Sequence, residues 1–139
     1  MTSVSIVIPV YRSSNSLNEL FEQLIDYMQE QPLIEEVILV CDGSPDDSWE
    51  KIKKISQRDA RFKGIKLRNN SGQHQATLVG CKYSLGDYIV TMDDDLQHNP
   101  REIGALIQEA QKGFDVVYGT FDSRKVNILF AQRAVLLPV

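Results

Sequence analysis

The chain has 139 residues, of which 42% are hydrophobic and 24% are charged, a composition typical of one soluble globular domain. Fifteen basic and nineteen acidic residues give a net charge of -4. Nucleic acid is therefore not an expected partner, because proteins that bind it usually present a basic face. The two cysteines, Cys41 and Cys81, form no CxxC pair, which predicts buried thiols in a reducing compartment rather than a zinc site or a disulfide.

The sequence shows no sign of export or of a membrane span. No basic region precedes the first apolar run, and Pro9 interrupts that run too early for a secretory signal. The stretch closest to a span runs from Ile128 to Val139 but is broken by Gln132 and Arg133, well short of the ~20 apolar residues required. We therefore expect a cytoplasmic location.

Short apolar runs rich in β-branched residues predict the strands of a buried sheet. Proline has no N–H to donate, so Pro9 is predicted to end the first strand. The predicted strands are Val4–Ile8, Val37–Cys41, Ile65–Leu67, Tyr88–Met92 and Val116–Tyr118.

Helical spacing of apolar residues predicts a helix after each of the first four strands. Ser16 with Glu19 predicts a capping box on the first helix, and Asp47 with Glu50 predicts a cap on the second. Asn99–Pro100 supplies a cap and a first-turn proline to the last. The helices are predicted within Leu17–Met28, Trp49–Ile55, Gln73–Leu85 and Pro100–Ala110.

This alternation of strands and helices predicts a mainly parallel sheet with helices on both faces. Ligands of such sheets bind beyond the carboxyl ends of the strands, where four polar segments are expected to converge. These segments are Pro9–Tyr11, Asp42–Asp47, Arg68–Gln73 and Asp93–Asn99. After Tyr118 the pattern changes, and Asn127 onward fits one or two helical turns.

Three consecutive aspartates, Asp93 to Asp95, directly follow the fourth predicted strand. Carboxylates this close repel one another, so either one stays protonated or a cation neutralises them. Oxygen ligands from Asp93 and Asp95, with the Gln97 amide two residues on, suit Mg²⁺ or Mn²⁺. The alternative is a solvated loop in which Asp95 caps a turn, but the position after an apolar strand favours the metal.

Other residues at the same predicted edge could contact a nucleotide. Asp42 could accept from a ribose hydroxyl or a base N–H, and Gly43 could adopt a positive φ that lets backbone approach a ligand. Gln73 and the first amides of its helix could approach a diphosphate, and Tyr11 could stack on a base. The alternatives are an Asx-turn at Asp42, an ordinary helix start and a half-buried tyrosine.

Several common motifs are missing from the sequence. The first strand-to-helix turn has no GxGxxG, and the chain contains no GxxxxGK[ST], GxSxG or HExxH. Its two histidines, His74 and His98, are more typical of surface residues than of ligands or bases. Dinucleotide, P-loop, covalent hydrolase and zinc protease chemistry therefore lack support.

Taken together, these segments resemble the family 2 glycosyltransferases of the GT-A fold. The spellings most similar to the polyprenyl-phosphate branch of that family are DDLQHNP, GQH and the run from Gly113 to Gly119. The resemblance covers roughly residues 3 to 124. It rests on Ile8-Pro9-Val10-Tyr11, Cys41-Asp42-Gly43-Ser44-Pro45-Asp46-Asp47-Ser48, Asn70-Ser71-Gly72-Gln73-His74 and Met92 to Pro100.

The resemblance implies an inverting transfer of sugar from a UDP- or GDP-sugar, assisted by Mg²⁺ or Mn²⁺, to a polyprenyl-phosphate lipid. The full-length form would then work at the inner face of a membrane, and homo-oligomerisation is left open. The implied nucleotide-binding residues are Pro9, Val10, Tyr11, Asp42, Gln73, Asp93 and Asp94; the implied metal ligands are Asp93, Asp95 and Gln97; and the implied catalytic residues are Asp93 and Asp95.

The sequence departs from the family in three places. Asp94 replaces a small residue between the two metal-binding aspartates, and Arg12-Ser13-Ser14 stands where many relatives carry an Asn-Glu pair. The segment after Arg124 does not resemble the family's second half. We therefore expect a donor-binding GT-A domain over residues 1–124, truncated on its C-terminal side, and an unassigned tail over residues 125–139.

Two other functions fit parts of the pattern. A nucleotide-binding module without catalysis would share the donor site and lack the acceptor half. A receiver-like phosphoacceptor domain also gathers aspartates and Mg²⁺ at strand ends, but Asp42-Gly43-Ser44 and the lack of a suitably placed late lysine argue against it.

Overall fold

The computed structural model describes residues 2–97, 99–121 and 125–131. Strands and helices alternate along the chain as far as β5. The elements are β1 Val4–Val10, α1 Leu17–Glu30, β2 Ile34–Asp42, α2 Ser48–Arg58, β3 Phe62–Leu67, α3 Gln73–Tyr83, β4 Tyr88–Thr91, a 3₁₀ turn Pro100–Glu102, α4 Ile103–Ala110, β5 Val116–Phe121 and β6 Lys125–Ala131.

The strands form one sheet in the order β3-β2-β1-β4-β6-β5. The strands β3, β2, β1 and β4 pair in parallel with one another, whereas β6 runs antiparallel to both β4 and β5. The prediction of a mainly parallel sheet is therefore confirmed. The expectation of helical turns from Asn127 onward is wrong, because residues 125–131 form β6 inside the sheet; residues 132–139 lie outside the described residues.

Helices bury both faces of the central strands β1 and β2, as the sequence predicts. Alternate residues of β1 point to opposite faces, so Ile6 and Ile8 join the core under α1, α2 and α4, whereas Val7 joins the core under α3. The helix α3 packs closely at Gly80, where an added Cβ would lie 2.3 Å from Val7 Cγ1. Every residue of β1 is buried, which explains its continuous apolar run.

The first strand continues through Pro9 to Val10 instead of ending before the proline. On the β4 side, the last pair in the ladder joins Val7 to Thr91. Pro9 lies two residues beyond Val7, so its backbone nitrogen faces the β4 side at a point where the pairing with β4 has already ended. The missing N–H of Pro9 therefore removes no hydrogen bond to β4. On the β2 side, pairing continues as far as Val10 and Cys41.

Two predicted helix caps are wrong. The Ser16 and Asp47 side chains make no capping bonds, although each residue directly precedes its helix. Both side chains bond to distant segments: Ser16 Oγ donates to the Asp94 carbonyl, and the Asp47 carboxylate accepts from Ser14 Oγ. The Asn99 cap is confirmed, since its Oδ1 accepts from the Arg101 N–H at 3.0 Å.

Both cysteines are buried and free of disulfides, as predicted. Burial raises the pKa of the Cys81 thiol to about 11. Within residues 2–97, 99–121 and 125–131, the helices are too short or too polar to cross a membrane.

At the amino ends of the strands, the buried Glu36 connects several elements. Its Oε1 accepts from Ser5 Oγ at 2.5 Å and from the Leu85 N–H at 2.6 Å, while Oε2 lies 2.5 Å from Lys63 Nζ. Burial alone would raise the pKa of Glu36, but the hydrogen bonds from Lys63, Ser5 and Leu85 outweigh it and lower that pKa. The charged carboxylate therefore stabilises the fold.

We expect Glu36→Gln to lower the free energy of unfolding at pH 7 by about 1.5–3 kcal/mol, the range for hydrogen bonds to a charged group. Because the folded pKa is lowered, the stabilisation by Glu36 is present above its ordinary pKa of 4.5 and is lost as pH falls through the folded value. The difference in unfolding free energy between wild type and Glu36→Gln, measured by urea unfolding, should therefore become smaller below about pH 4.5.

The neighbouring Glu35 is exposed on the same strand, so Glu35→Gln is the matched control and should change the unfolding free energy by less than about 0.5 kcal/mol. Equal losses in the two variants, or a gap that stays constant down to pH 3, would contradict this role for Glu36.

Candidate functional site

A cleft of about 400 Å³ lies at the carboxyl ends of β1, β2 and β4. The structure brings together all the site residues expected from the sequence apart from Gln97, and adds Asn70 and Gly72 to them. The residues that line the cleft are Pro9, Val10, Tyr11, Asp42, Asn70, Gly72, Gln73, Asp93, Asp94 and Asp95.

The structure does not bring Gln97 to this cleft. Leu96 has a φ of 62°, in the left-handed region, and at this turn the chain leaves the cleft. The Gln97 N–H donates to Asp95 Oδ1 at 3.1 Å, and its side chain lines a second cleft of about 360 Å³ beside α1. His98 lies outside the described residues.

Asp42 is buried at the end of β2 and holds the loop that precedes α3. Its Oδ1 accepts from the Ser71 N–H at 2.7 Å, and its Oδ2 accepts from the Gly72 N–H at 2.9 Å. The Asp42 carboxylate thus binds a loop 29 residues away in the sequence, where the alternative was a local Asx-turn. Each carboxylate oxygen keeps a second lone pair with which it could accept from a ligand.

Gly43 has a φ of 63°, as its position in the turn predicts. A Cβ at this position would lie 2.4 Å from Asn70 N and 2.5 Å from Asn69 C. The backbone that approaches Gly43 is therefore the neighbouring loop, where the sequence suggested a ligand. This close contact fixes the position of Asn70 in the wall of the cleft.

Gln73 connects the start of α3 to the loop after β4. Its Nε2 donates to Asp93 Oδ1 at 2.7 Å. The N-terminus of a helix carries a partial positive charge and exposed N–H groups, both of which favour an anion. The first turn of α3 is thus held beside the Asp93 carboxylate, with Gly72 and Gln73 in the wall of the cleft.

The middle aspartate, Asp94, bonds to the turn after β1. Its Oδ2 accepts from the Tyr11 N–H at 3.3 Å and from Ser13 Oγ, while its carbonyl accepts from Ser16 Oγ at 2.8 Å. Burial raises the pKa of Asp94, and the hydrogen bonds from Ser13 and Tyr11 only partly offset this effect. Asp94 is therefore engaged mainly with protein groups.

Tyr11 stands at the mouth of the cleft with 40% of its surface exposed. The guanidinium of Arg12 lies 5.4 Å from the centre of its ring, within the range of a cation–π contact. Arg12 itself has a φ of 52°, and its N–H donates to Ser44 Oγ at 2.8 Å. The ring is thus accessible from the cleft and supported by its neighbour.

A set of serines and aspartates joins the turn after β1 to the turn after β2. Asp46 accepts from Ser44 Oγ and from the Ser48 and Ser14 N–H groups. Burial would raise the pKa of Asp46, but these bonds outweigh it and lower that pKa to about 2. This network was not predicted from the sequence, although repeated serines just after two predicted strands are a usable signal for it.

The side chains present fit a divalent cation that is shared with a bound phosphate. Among the residues the structure describes, no three carboxylate, histidine or cysteine side chains gather closely enough to hold a metal by themselves. Four carboxylates line the cleft; Asp42 and Asp94 hold neighbouring loops, while Asp93 accepts from Gln73 and Asp95 accepts from the Gln97 N–H. Mg²⁺ is commonly bound by one or two carboxylates together with substrate phosphates.

Comparison with known proteins identifies relatives of the chain. It is 39% identical over 132 residues to the undecaprenyl-phosphate 4-deoxy-4-formamido-L-arabinose transferase of Edwardsiella ictaluri, and 41% identical to that of Salmonella choleraesuis. Each match covers 94% of this chain and 40% of the relative. The chain thus spans less than half the length of the curated relatives it matches.

Solved structures share the fold at lower identity. The mannosyltransferase PcManGT from Pyrobaculum calidifontis, solved with GDP-Man and Mn²⁺, has a TM-score of 0.78 and 13% identity over 95% of this chain and 45% of its own. TarS from S. aureus, solved with UDP, has a TM-score of 0.65 and 24% identity over 89% and 38%. These similarities confirm the expected Rossmann-like GT-A fold.

The sequence profile described as glycosyl transferase family 2 matches residues 5–136. The match extends beyond residue 124, where the resemblance was expected to end, and it includes β6. Together with the fold and the polar cleft at the carboxyl ends of the strands, it shows that the chain belongs to glycosyl transferase family 2.

Proposed function

We propose that this chain forms the donor-binding part of a glycosyltransferase that transfers a sugar, with inversion, from a nucleotide-diphosphate sugar to a polyprenyl phosphate. The observation that carries the proposal is the convergence of four polar segments, which bring four carboxylates to one cleft at the edge of the sheet. Relatives with 39–41% identity are named for transfer to undecaprenyl phosphate, which supports this class of acceptor.

The nucleoside is proposed to bind on the β1–β2 side of the cleft. Tyr11 offers an exposed ring face for the base, and Asp42 offers acceptor lone pairs for a base N–H or a ribose hydroxyl. Pro9 and Val10 form the floor between them at the end of β1. The buried strand beneath holds these contacts in fixed positions, as a binding site requires.

The diphosphate is proposed to lie between the first turn of α3 and the loop after β4. The helix N-terminus at Gln73 favours its negative charge, whereas Asp93 and Asp95 would repel it. Asp93 and Asp95 would therefore hold a divalent cation together with the diphosphate, and the cation would stabilise the charge that develops on the leaving group.

The transfer step follows from the chemistry of the substrates. An oxygen of the acceptor phosphate would form a bond to the anomeric carbon as the bond from that carbon to the diphosphate breaks, which inverts the configuration and releases the nucleoside diphosphate. The acceptor is already anionic near neutral pH, so a strong general base is not required. Such an acceptor suits a site near a membrane, and we propose the inner face for the full-length form.

The first test is thermal unfolding with UDP or GDP, each with and without Mn²⁺. A ligand at a hundred times its dissociation constant adds about 2.7 kcal/mol, which raises the midpoint of a domain of this size by several degrees. We expect one nucleotide with Mn²⁺ to give this shift, and Mn²⁺ alone to give much less, because two carboxylates make an incomplete cation site. No shift with either nucleotide would contradict the proposal.

Asp95→Asn should abolish the part of the nucleotide shift that depends on Mn²⁺ while changing the midpoint of the unliganded chain by less than about 2 °C, since Asp95 is exposed. Asp26→Asn removes the same charge from the neighbouring cleft and is the matched control. An equal loss of the Mn²⁺-dependent shift in both variants would indicate a general charge effect instead of a ligand role.

Gly43→Ala tests the contact between the two loops. We expect it to lower the free energy of unfolding by about 1–3 kcal/mol through strain at positive φ, and to weaken nucleotide binding because the new Cβ displaces Asn70. Gly113 also has a positive φ, of 105°, but an added Cβ there meets nothing within 4 Å. Gly113→Ala should therefore lower stability without changing the nucleotide shift.

The acceptor class is tested by incubating the chain with a labelled nucleotide sugar, Mn²⁺ and undecaprenyl phosphate. A labelled lipid that forms with undecaprenyl phosphate and not with undecaprenol supports the proposal. Transfer to undecaprenol, or release of free sugar at the same rate without lipid, would contradict it.

A further inference from the structure

The loops after β1 and β4 extend beyond the ladder that joins their strands. The last paired residues are Val7 and Thr91, and one further hydrogen bond runs from the Met92 N–H to the Val7 carbonyl at 3.1 Å. The nucleoside side and the diphosphate side of the proposed donor site both lie past this point. Some other interaction must therefore set the position of one loop relative to the other.

We infer that Asp94 is a positioning residue that fixes the Tyr11–Ser13 turn against the loop carrying Asp93 and Asp95, and so couples nucleoside binding to cation binding in the donor site. The inference rests on the proposed function, since it assigns Asp94 to the support of that site. It also separates Asp94 from the two aspartates beside it, which we propose as cation ligands.

The bonds of Asp94 support this role. Its Oδ2 accepts from the Tyr11 N–H at 3.3 Å and from Ser13 Oγ, so one oxygen joins two residues of the turn. Ser13 is buried, and its own N–H donates to Ser48 Oγ at 3.1 Å. The turn is thus attached to β4 through Asp94 and to the start of α2 through Ser48.

A second bond connects the same two loops through the backbone. Ser16 Oγ donates to the Asp94 carbonyl at 2.8 Å, and this bond takes the place of the predicted cap on α1. The helix α1 lacks one capping hydrogen bond as a result. In its place, Ser16 contacts Asp94, which lies 78 residues away in the sequence. Both the side chain and the backbone of Asp94 therefore hold the turn after β1.

The strained backbone of the turn shows why support is needed there. Arg12 lies between the two residues that Asp94 holds and has a φ of 52°, a conformation that is unfavourable for a residue other than glycine. Such conformations persist only when the surrounding contacts fix them. Loss of the Asp94 contacts should release Arg12 to ordinary φ values and move Tyr11, whose ring we propose binds the base.

The test compares Asp94→Asn with Asp94→Ala in titrations of the chain with the stabilising nucleotide, with and without Mn²⁺. Both donors reach the same oxygen, so one amide oxygen of asparagine can replace it, whereas alanine cannot. We expect Asp94→Ala to raise the nucleotide Kd by about tenfold to a hundredfold and to reduce the enhancement by Mn²⁺. Asp94→Asn should stay within about threefold of wild type for both quantities.

This pattern distinguishes positioning from direct ligation. A cation ligand or a charge that contacts the substrate would be lost in Asp94→Asn as much as in Asp94→Ala, as we expect for Asp95→Asn. Equal losses in Asp94→Asn and Asp94→Ala would therefore overturn the inference. Unchanged nucleotide affinity and unchanged Mn²⁺ enhancement in Asp94→Ala would overturn it as well.

Ser13→Ala provides a second variant in case Asp94→Ala fails to fold. Its effect on nucleotide affinity should have the same direction as that of Asp94→Ala and be no larger, because Ser13→Ala removes one of the two contacts that Asp94→Ala removes. The double variant should be no worse than Asp94→Ala alone. The same single and double variants can be compared by urea unfolding, which needs no nucleotide. If wild type binds no nucleotide, the proposed function fails, while additive effects of Ser13→Ala and Asp94→Ala on unfolding would separately overturn the contact itself.

Discussion

The constraint on which this structure depends is that its central strands, β1 and β2, are buried on both faces, so the polar groups of the cleft gather where these strands end. Three carboxylates at that edge satisfy the N–H groups of neighbouring turns: Asp42 binds the loop before α3, Asp46 binds the turns around Ser14 and Ser48, and Asp94 binds the turn after β1. These bonds fix the loops that form the cleft. The hydrophobic core therefore places the site, and these three carboxylates shape it.

The same bonds explain how so many acids can lie at one edge. A carboxylate that accepts N–H or O–H groups has much of its charge compensated, as the lowered pKa of Asp46 shows despite the cost of burial. Asp93 and Asp95 also accept hydrogen bonds, from Gln73 and from the Gln97 N–H, but they remain in the wall of the cleft. The site thus combines carboxylates with the positive end of α3, and this combination is the basis for proposing a diphosphate accompanied by a cation.

The fold is shared with proteins that have diverged widely in sequence. PcManGT matches most of the chain at 13% identity, and TarS matches it at 24%. Shared topology at such identity reflects the constraint described above, because many apolar sequences can form the same buried sheet. The chain spans 40% of the length of its curated relatives.

The sequence by itself determined the strands, the helices and the polar edge, because hydrophobic periodicity and turn residues act locally. It placed Asp42 and Asp93 on one cleft correctly, since the carboxyl ends of parallel strands must meet. Only the tertiary structure decided the partners of Ser16 and Asp94, the course of the chain at Gln97 and the strand that follows residue 124. For Ser16, Asp94 and β6, a contact between segments far apart in sequence overrides the local preference, and the local sequence does not show how strong such a contact is. At Gln97 the local left-handed turn at Leu96 directs the chain away from the cleft.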